Sequence, residues 1–165
     1  MNDLLFMIGD LVVLLNLLAL LTHVFKGDGE SNLWSLVTLC VFNGVMHGWG
    51  YYLKSKFGVF DDAIMRHLWY LSFALFYVLA MLFLLQMHKL KNVSATGFAR
   101  LLGASFIIIG FVTLLDYVDH VLFGWDTPIV QKIYTYMIPY VNVCVAFSAV
   151  FVTIKDLLRK RSLKC

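Results

Sequence analysis

The sequence predicts an all-α protein, a polytopic transmembrane bundle of five helices. Of its 165 residues, 61% are hydrophobic and only 14% are charged, whereas a soluble domain is about 45–50% apolar and about 25% charged. This composition argues against a soluble enzyme, a nucleic-acid-binding protein and a disordered tail. Five apolar runs reach the roughly 20 residues that a helix needs to cross the hydrocarbon. They are apolar on every side, whereas the strands of a membrane barrel alternate apolar and polar residues.

The five helices are predicted to form one transmembrane domain that spans residues 1–165. Glycines and helix-capping residues at positions 27–32 separate the first two helices. Pro128 suits the first turn of the fifth helix, and the short segment before it makes the fourth and fifth helices an antiparallel hairpin. The predicted helices cover about residues 4–25, 33–53, 67–88, 98–123 and 128–155, and residues 156–165 form a basic cytoplasmic tail.

The distribution of basic residues predicts the orientation in the membrane. With five spans, four basic residues fall on the side of the N-terminus and nine on the side of the C-terminus. Lysine and arginine are enriched in cytoplasmic loops, so the N-terminus is expected outside and the C-terminus in the cytoplasm. The lipid bilayer is thus the first partner, and the inner membrane of a bacterium is the expected location. The four on the N-terminal side are Lys54, Lys56, Arg66 and Lys132.

Polar residues on four of the predicted helices fall at one depth. With a rise of about 1.5 Å per residue, Asp10, His47, Asp116 and Tyr140 all lie about 21–24 Å from the cytoplasmic ends of their helices. Ionisable groups inside the hydrocarbon are costly and usually face the interior of a bundle. We therefore expect an outer-facing polar pocket formed by Asp10, His47, Asp116 and His120, with Asp119 beside it.

The predicted pocket indicates binding or conduction of a proton or small cation, within an oligomer or a complex with other membrane subunits. A redox or metal-binding subunit is the alternative, because Asp116 and His120 are four residues apart and share a helical face. Such a pair could hold a divalent metal. A haem b would need two facing imidazoles. The candidate metal or haem ligands are His47, His67, His120 and Asp116.

A membrane scaffold or effector without a ligand is a third possibility. No serine stands in the setting of a catalytic nucleophile, so the sequence does not predict an enzyme, and it identifies no firm cofactor. Gly44 and Gly48 form a GxxxG pattern, and Gly103 belongs to a second small-residue pair. Such residues let helix backbones approach closely, so they are predicted to pack helices against one another.

Overall fold

A computed structural model describes the backbone of residues 3–26 and 30–162 and the side chains of residues 7–25 and 30–159. Within these ranges the chain forms five α-helices, which confirms the predicted all-α bundle. A π-helical segment, Tyr117–Leu122, continues the fourth helix. The helices are α1 (Asp3–Lys26), α2 (Glu30–Lys56), α3 (Asp62–Leu90), α4 (Gly97–Asp116) and α5 (Pro128–Ser162).

Four of these helices are long and apolar enough to cross a membrane. Their apolar stretches are Met7–Phe25, Asp62–Leu90, Gly97–Leu122 and Pro128–Arg159. Helix α2 has 27 residues and no charged residue between positions 33 and 53, but Asn43 and His47 lower its hydropathy. Large apolar side chains such as Phe147 and Phe151 are about two-thirds exposed, at 65% and 66%. The chain is therefore an integral membrane protein whose outer surface contacts lipid.

The helices are arranged as a closed ring. Each helix packs against its neighbours in sequence, and α5 packs against α1, so that the last helix closes the ring on the first. Helix α4 also contacts α2 across the ring. Because successive helices alternate in direction, the two termini lie at opposite ends of the bundle, which we call its N-terminal and C-terminal ends.

The interior of the ring is filled in its C-terminal half and open in its N-terminal half. The filled half is a core of buried apolar side chains from all five helices, including Ala19, Leu36, Leu84, Leu102 and Ala149. In the other half the helices line a partly open cavity of about 400 Å³. The fold thus leaves space between the helices in the N-terminal half of the bundle.

Several helices extend beyond the apolar runs of the sequence. Helix α3 begins at Asp62, and the carboxylate of Asp61 caps it by accepting a hydrogen bond from the backbone N–H of Ala63 at 2.8 Å. Helix α5 continues to Ser162, so the first part of the basic segment 156–165 is helical. Backbone hydrogen bonding continues along a helix where the side chains become polar, because the i→i+4 pattern does not depend on hydrophobicity.

Candidate ligand pocket and its polar residues

The cavity is a pocket to which all five helices contribute side chains. Its walls are mainly apolar and aromatic, and a few polar groups point into it. Pockets of this size and character are typical of small-molecule sites. The lining residues used below are Gly9 from α1, Asn43 and His47 from α2, Trp69, Phe73 and Tyr77 from α3, and Tyr134, Ile138 and Asn142 from α5.

A carboxylate–imidazole pair stands at the wall of this pocket. His47 Nε2 lies 2.6 Å from Asp10 Oδ1, and the hydroxyl of Tyr51 donates to Asp10 Oδ2 at 3.1 Å. The Tyr51 and His47 rings meet edge to face, with centroids 4.9 Å apart. Asp10 is three residues inside the apolar stretch of α1, and its side chain is 57% exposed. The structure therefore joins two of the four residues predicted for the polar pocket.

The backbone of Gly9 makes room for this pair. A Cβ atom at position 9 would lie 2.7 Å from Cε1 and 2.9 Å from Nδ1 of His47. A real Cβ atom does not come this close to another heavy atom, so the imidazole can lie against α1 in this way only because residue 9 has no side chain. Glycine here is a close-approach residue that sets the position of His47.

Asn43 and Asn142 also line the pocket. Asn43 is 9% exposed, and Asn142 is half-buried. Neither carboxamide makes a side-chain hydrogen bond to another residue that the structure describes. Each therefore presents two donors and an acceptor oxygen to whatever occupies the cavity.

Asp116 lies apart from the Asp10–His47 pair. It is 3% exposed, and its Oδ2 accepts a hydrogen bond from the Tyr70 hydroxyl at 2.7 Å. Its other oxygen, Oδ1, makes no hydrogen bond within the described part of the chain. Asp116 is not among the residues that line the pocket.

His120 and Asp119 make separate contacts at the N-terminal end. Arg66 lies 3.1 Å from His120 Nε2, and since a guanidinium can only donate, Nδ1 carries the proton and donates to Asp126. The Asp119 carboxylate accepts from the Thr127 backbone N–H at 2.8 Å and from its hydroxyl at 2.6 Å. Asp119 therefore holds the start of α5.

A π-helical segment replaces the α-helix that the sequence predicts through residue 123. The backbone changes at Tyr117 to a wider turn, in which the N–H of Phe123 bonds to the carbonyl of Val118 at 3.1 Å. Asp116 and His120, four residues apart, have different partners, Tyr70 for Asp116 and Asp126 for His120.

The candidate metal and haem ligands are likewise distributed over separate contacts. His67 Nδ1 lies 3.0 Å from the Tyr117 hydroxyl, His47 bonds to Asp10, and His120 to Asp126. Among the described residues, no three His, Cys, Asp or Glu side chains are grouped so that they could share a metal ion. Asp10 and His47 supply two ligands at most.

Of the three glycines predicted to pack helices together, one lies between helices and two do not. Gly44 and Gly48 are exposed, and a Cβ on either would meet nothing within 4 Å. Gly103 faces α3, where a Cβ would lie 3.2 Å from Met81 Sδ. The GxxxG face of α2 thus points away from the ring. Tyr140, which the sequence predicts at the depth of Asp10, is also on the outside and 71% exposed.

A second group of polar residues closes the C-terminal end of the ring, and we call it the C-terminal polar cluster. Asn32 donates to Asp156 Oδ2 at 2.9 Å and accepts from the Thr96 hydroxyl at 2.7 Å. His23 Nδ1 lies 3.8 Å from Asp156 Oδ2, and Ser31 Oγ lies 2.8 Å from His88 Nε2. The cluster connects all five helices and consists of His23, Ser31, Asn32, His88, Thr96 and Asp156.

Sequence reasoning missed three kinds of functional residue. A lone glycine in an apolar run, such as Gly9, carries no signal of a close approach. A carboxamide inside a candidate span is itself a signal, and the predicted site does not include Asn43 or Asn142. The hydrogen bonds of Tyr51 and Tyr70 depend on how the helices pack, which the sequence does not reveal.

Comparison of the chain with protein-family models, with curated proteins and with solved structures finds no match.

Proposed function

We propose that this membrane protein binds a small molecule in the pocket between its five helices. The observation that carries the proposal is the cavity of about 400 Å³, lined by every helix of the ring. Apolar interiors are normally packed without voids of this size. An apolar cavity that also presents a few polar groups is the usual form of a ligand site.

The other half of the bundle favours binding over conduction. Below the pocket, fully buried side chains such as Leu36, Ala80 and Leu102 fill the ring. The C-terminal polar cluster then ties the helix ends together. Ions need a hydrated or polar route through the hydrocarbon, whereas the side chains that fill this half of the ring among the described residues are mainly apolar. A packed core thus separates the pocket from the C-terminal end.

The proposal is tested by filling the pocket. Ile138 lines it, and an Ile138→Trp substitution would place an indole in the cavity. Tyr140→Trp, two residues along α5 and on the exposed surface, is the matched control. Small molecules retained by the protein purified in lipid nanodiscs would be released by denaturation and identified by mass spectrometry. We expect one or more species bound to the wild type and to Tyr140→Trp and lost in Ile138→Trp. Equal retention in all three proteins would contradict the proposal.

A second candidate is conduction of a proton or small cation by way of the Asp10–His47 pair, which would require a polar route to open through the packed half of the ring. It is supported by the 2.6 Å hydrogen bond between a carboxylate and an imidazole at the pocket wall, inside a helix able to span the membrane. Such pairs in membranes are commonly proton carriers. Asp10→Asn in liposomes should slow the decay of a pH gradient relative to the wild type. Identical decay, or decay no faster than in empty liposomes, would remove this candidate.

We propose further that the protein lies in a bacterial inner membrane with its N-terminus outside. The support is the excess of basic residues on the C-terminal side, nine against four. The pocket would then open toward the outer face of the membrane.

A further inference from the structure

We infer that the occupant of the pocket is a neutral, ring-bearing molecule whose polar substituent is held by Asn43 and Asn142. This inference rests on the proposed function, because it assumes that the pocket binds a ligand. It goes further by naming the chemical class of the ligand and the two side chains that select it.

The two carboxamides lie at the same depth in the pocket. Asn43 is thirteen residues before the end of α2 at Lys56, and Asn142 is fourteen residues after the start of α5 at Pro128, which puts each about 20 Å from the N-terminal end. They stand on different helices, and each faces the cavity without a hydrogen-bonding side-chain partner. They therefore form a polar floor beneath a mainly apolar chamber.

A buried carboxamide without a hydrogen-bonding partner indicates that a ligand supplies the partner. A buried amide without a hydrogen bond is strongly disfavoured in an apolar environment. Asn43 is 9% exposed and is nevertheless unpaired. A hydroxyl or amide substituent of a ligand would donate to a carboxamide oxygen and accept from carboxamide N–H groups.

A third asparagine shows that this layer is unusually polar. Asn16 on α1 lies thirteen residues after the start of its helix, at a depth of about 20 Å like the other two. It is 0% exposed, and neither of its amide atoms forms a hydrogen bond among the described residues. Asn16 is not part of the pocket lining, so it does not contact the ligand in this arrangement.

The absence of charged side chains from the described pocket lining favours a neutral ligand. No Asp, Glu, Lys or Arg is among the described residues that line it. The nearest ionisable group on its wall, His47, already has Asp10 as its partner. A charged ligand would lose its hydration without gaining an opposite charge.

The aromatic side chains that line the pocket favour a ligand with a flat ring. Four aromatic side chains line the cavity, and the Trp69 and Phe73 rings lie against each other with centroids 5.0 Å apart. Aromatic walls favour stacked or edge-on contacts with another ring. The volume of about 400 Å³ equals that of roughly a dozen water molecules, so one or two fused rings would fill much of it. The four aromatic residues are Trp69, Phe73, Tyr77 and Tyr134.

The experiment compares three probes that share a ring system. 2-Naphthol carries a hydroxyl, naphthalene carries none, and 2-naphthoate is charged. Binding to the protein in nanodiscs is measured by equilibrium dialysis against empty nanodiscs, which corrects for partition into lipid. We expect the wild type to bind 2-naphthol about tenfold more tightly than naphthalene, as expected for buried hydrogen bonds, and 2-naphthoate most weakly.

The variants separate this inference from the proposed function. Asn43→Leu and Asn142→Leu should bind 2-naphthol and naphthalene about equally, because only the hydrogen-bonding groups are lost. Gln86→Leu, which removes an exposed carboxamide on α3, should keep the preference of the wild type. Ile138→Trp should bind no probe.

Two results would overturn the inference in different ways. If the wild type binds 2-naphthol and naphthalene equally and Ile138→Trp abolishes both, the pocket binds ligands but the asparagines do not select them. If the wild type binds no probe above the empty nanodiscs, the inference fails. The proposed function fails with it only if the filled and wild-type proteins also retain the same small molecules.

Discussion

At the scale of single residues, one glycine decides whether a carboxylate and an imidazole can meet. The sequence places Asp10 and His47 at similar depth, and depth follows from counting residues along a helix. Which way each side chain turns depends on how the helices pack, and counting cannot supply that. The pair forms because Gly9 lets the imidazole lie against α1, whereas Asp116, at the same predicted depth, is bound by Tyr70 instead.

Replacement of Gly9 by alanine should break the Asp10–His47 hydrogen bond. The new Cβ would meet His47 Cε1 at 2.7 Å, so the ring must move. Alanine is a better helix former than glycine, so without the contact to His47 the substitution would stabilise α1. We expect a lower thermal midpoint in detergent instead, together with a changed ¹⁵N NMR signal of His47.

Gly44→Ala is the matched control for that substitution. A Cβ at position 44 meets nothing within 4 Å, so alanine should leave the midpoint unchanged or raise it slightly. If the two alanine variants had the same midpoint and the His47 signal did not change, the close approach at Gly9 would not be what positions the imidazole.

At the scale of helices, the π-helical segment Tyr117–Leu122 connects α4 to the helices beside it. Asp119 in this segment bonds to Thr127 at the beginning of α5, and His120 contacts Arg66 of α3. Asp119 thus supports the helix that closes the ring. Its two hydrogen bonds to Thr127 satisfy donors next to Pro128, which itself has no N–H to offer.

Replacement of Asp119 by alanine should therefore loosen the start of α5. It leaves the Thr127 N–H and hydroxyl without their acceptor, and loss of a capping carboxylate costs about 0.5–2 kcal/mol. The expected result is a lower thermal midpoint and faster hydrogen exchange at the first turns of α5. Glu30→Ala, which removes an exposed acid at the start of α2, should change stability by less than about 0.5 kcal/mol. Equal effects of the two substitutions would show that Asp119 does not anchor the helix.

The helices themselves were well predicted from the sequence, and the candidate site only in part. Apolar runs of about 20 residues identify spans because lipid leaves the backbone no alternative to a helix. Side-chain partners are set by rotation of each helix about its axis, to which a run that is apolar on every side gives no clue. Asp10 and His47 were therefore found as residues but not as a pair, and the role of Asn142 was not found.

At the scale of the whole molecule, charge differs between the two ends of the ring. Under the predicted topology, nine basic and three acidic residues lie on the C-terminal side, and four basic and seven acidic residues on the N-terminal side. The positive-inside rule then orients the bundle. Both the side from which the pocket is reached and the side of the C-terminal polar cluster follow from this orientation.

The orientation can be measured with single cysteines. Val59 and Ser94 are exposed and lie in the segments that connect α2 to α3 and α3 to α4, which are at opposite ends of the bundle. In a background whose three native cysteines are replaced by serine, a membrane-impermeant maleimide should label Val59→Cys in intact cells. Ser94→Cys should react only after the membrane is permeabilised. The reverse pattern would place the N-terminus, and the pocket, on the cytoplasmic side.

The closed ring also determines the order in which the walls of the pocket assemble. Contacts between α1 and α5 join segments more than a hundred residues apart in sequence, and contacts of long sequence separation form late and slowly. During synthesis the first four helices can enter the membrane and pair with their neighbours while one side of the cavity still faces lipid. The last wall of the cavity forms only when α5 inserts. The same step brings Asn142 into the pocket with Asn43. We therefore expect the ligand to bind only after α5 has inserted, and not to a chain in which only the first four helices have entered the membrane.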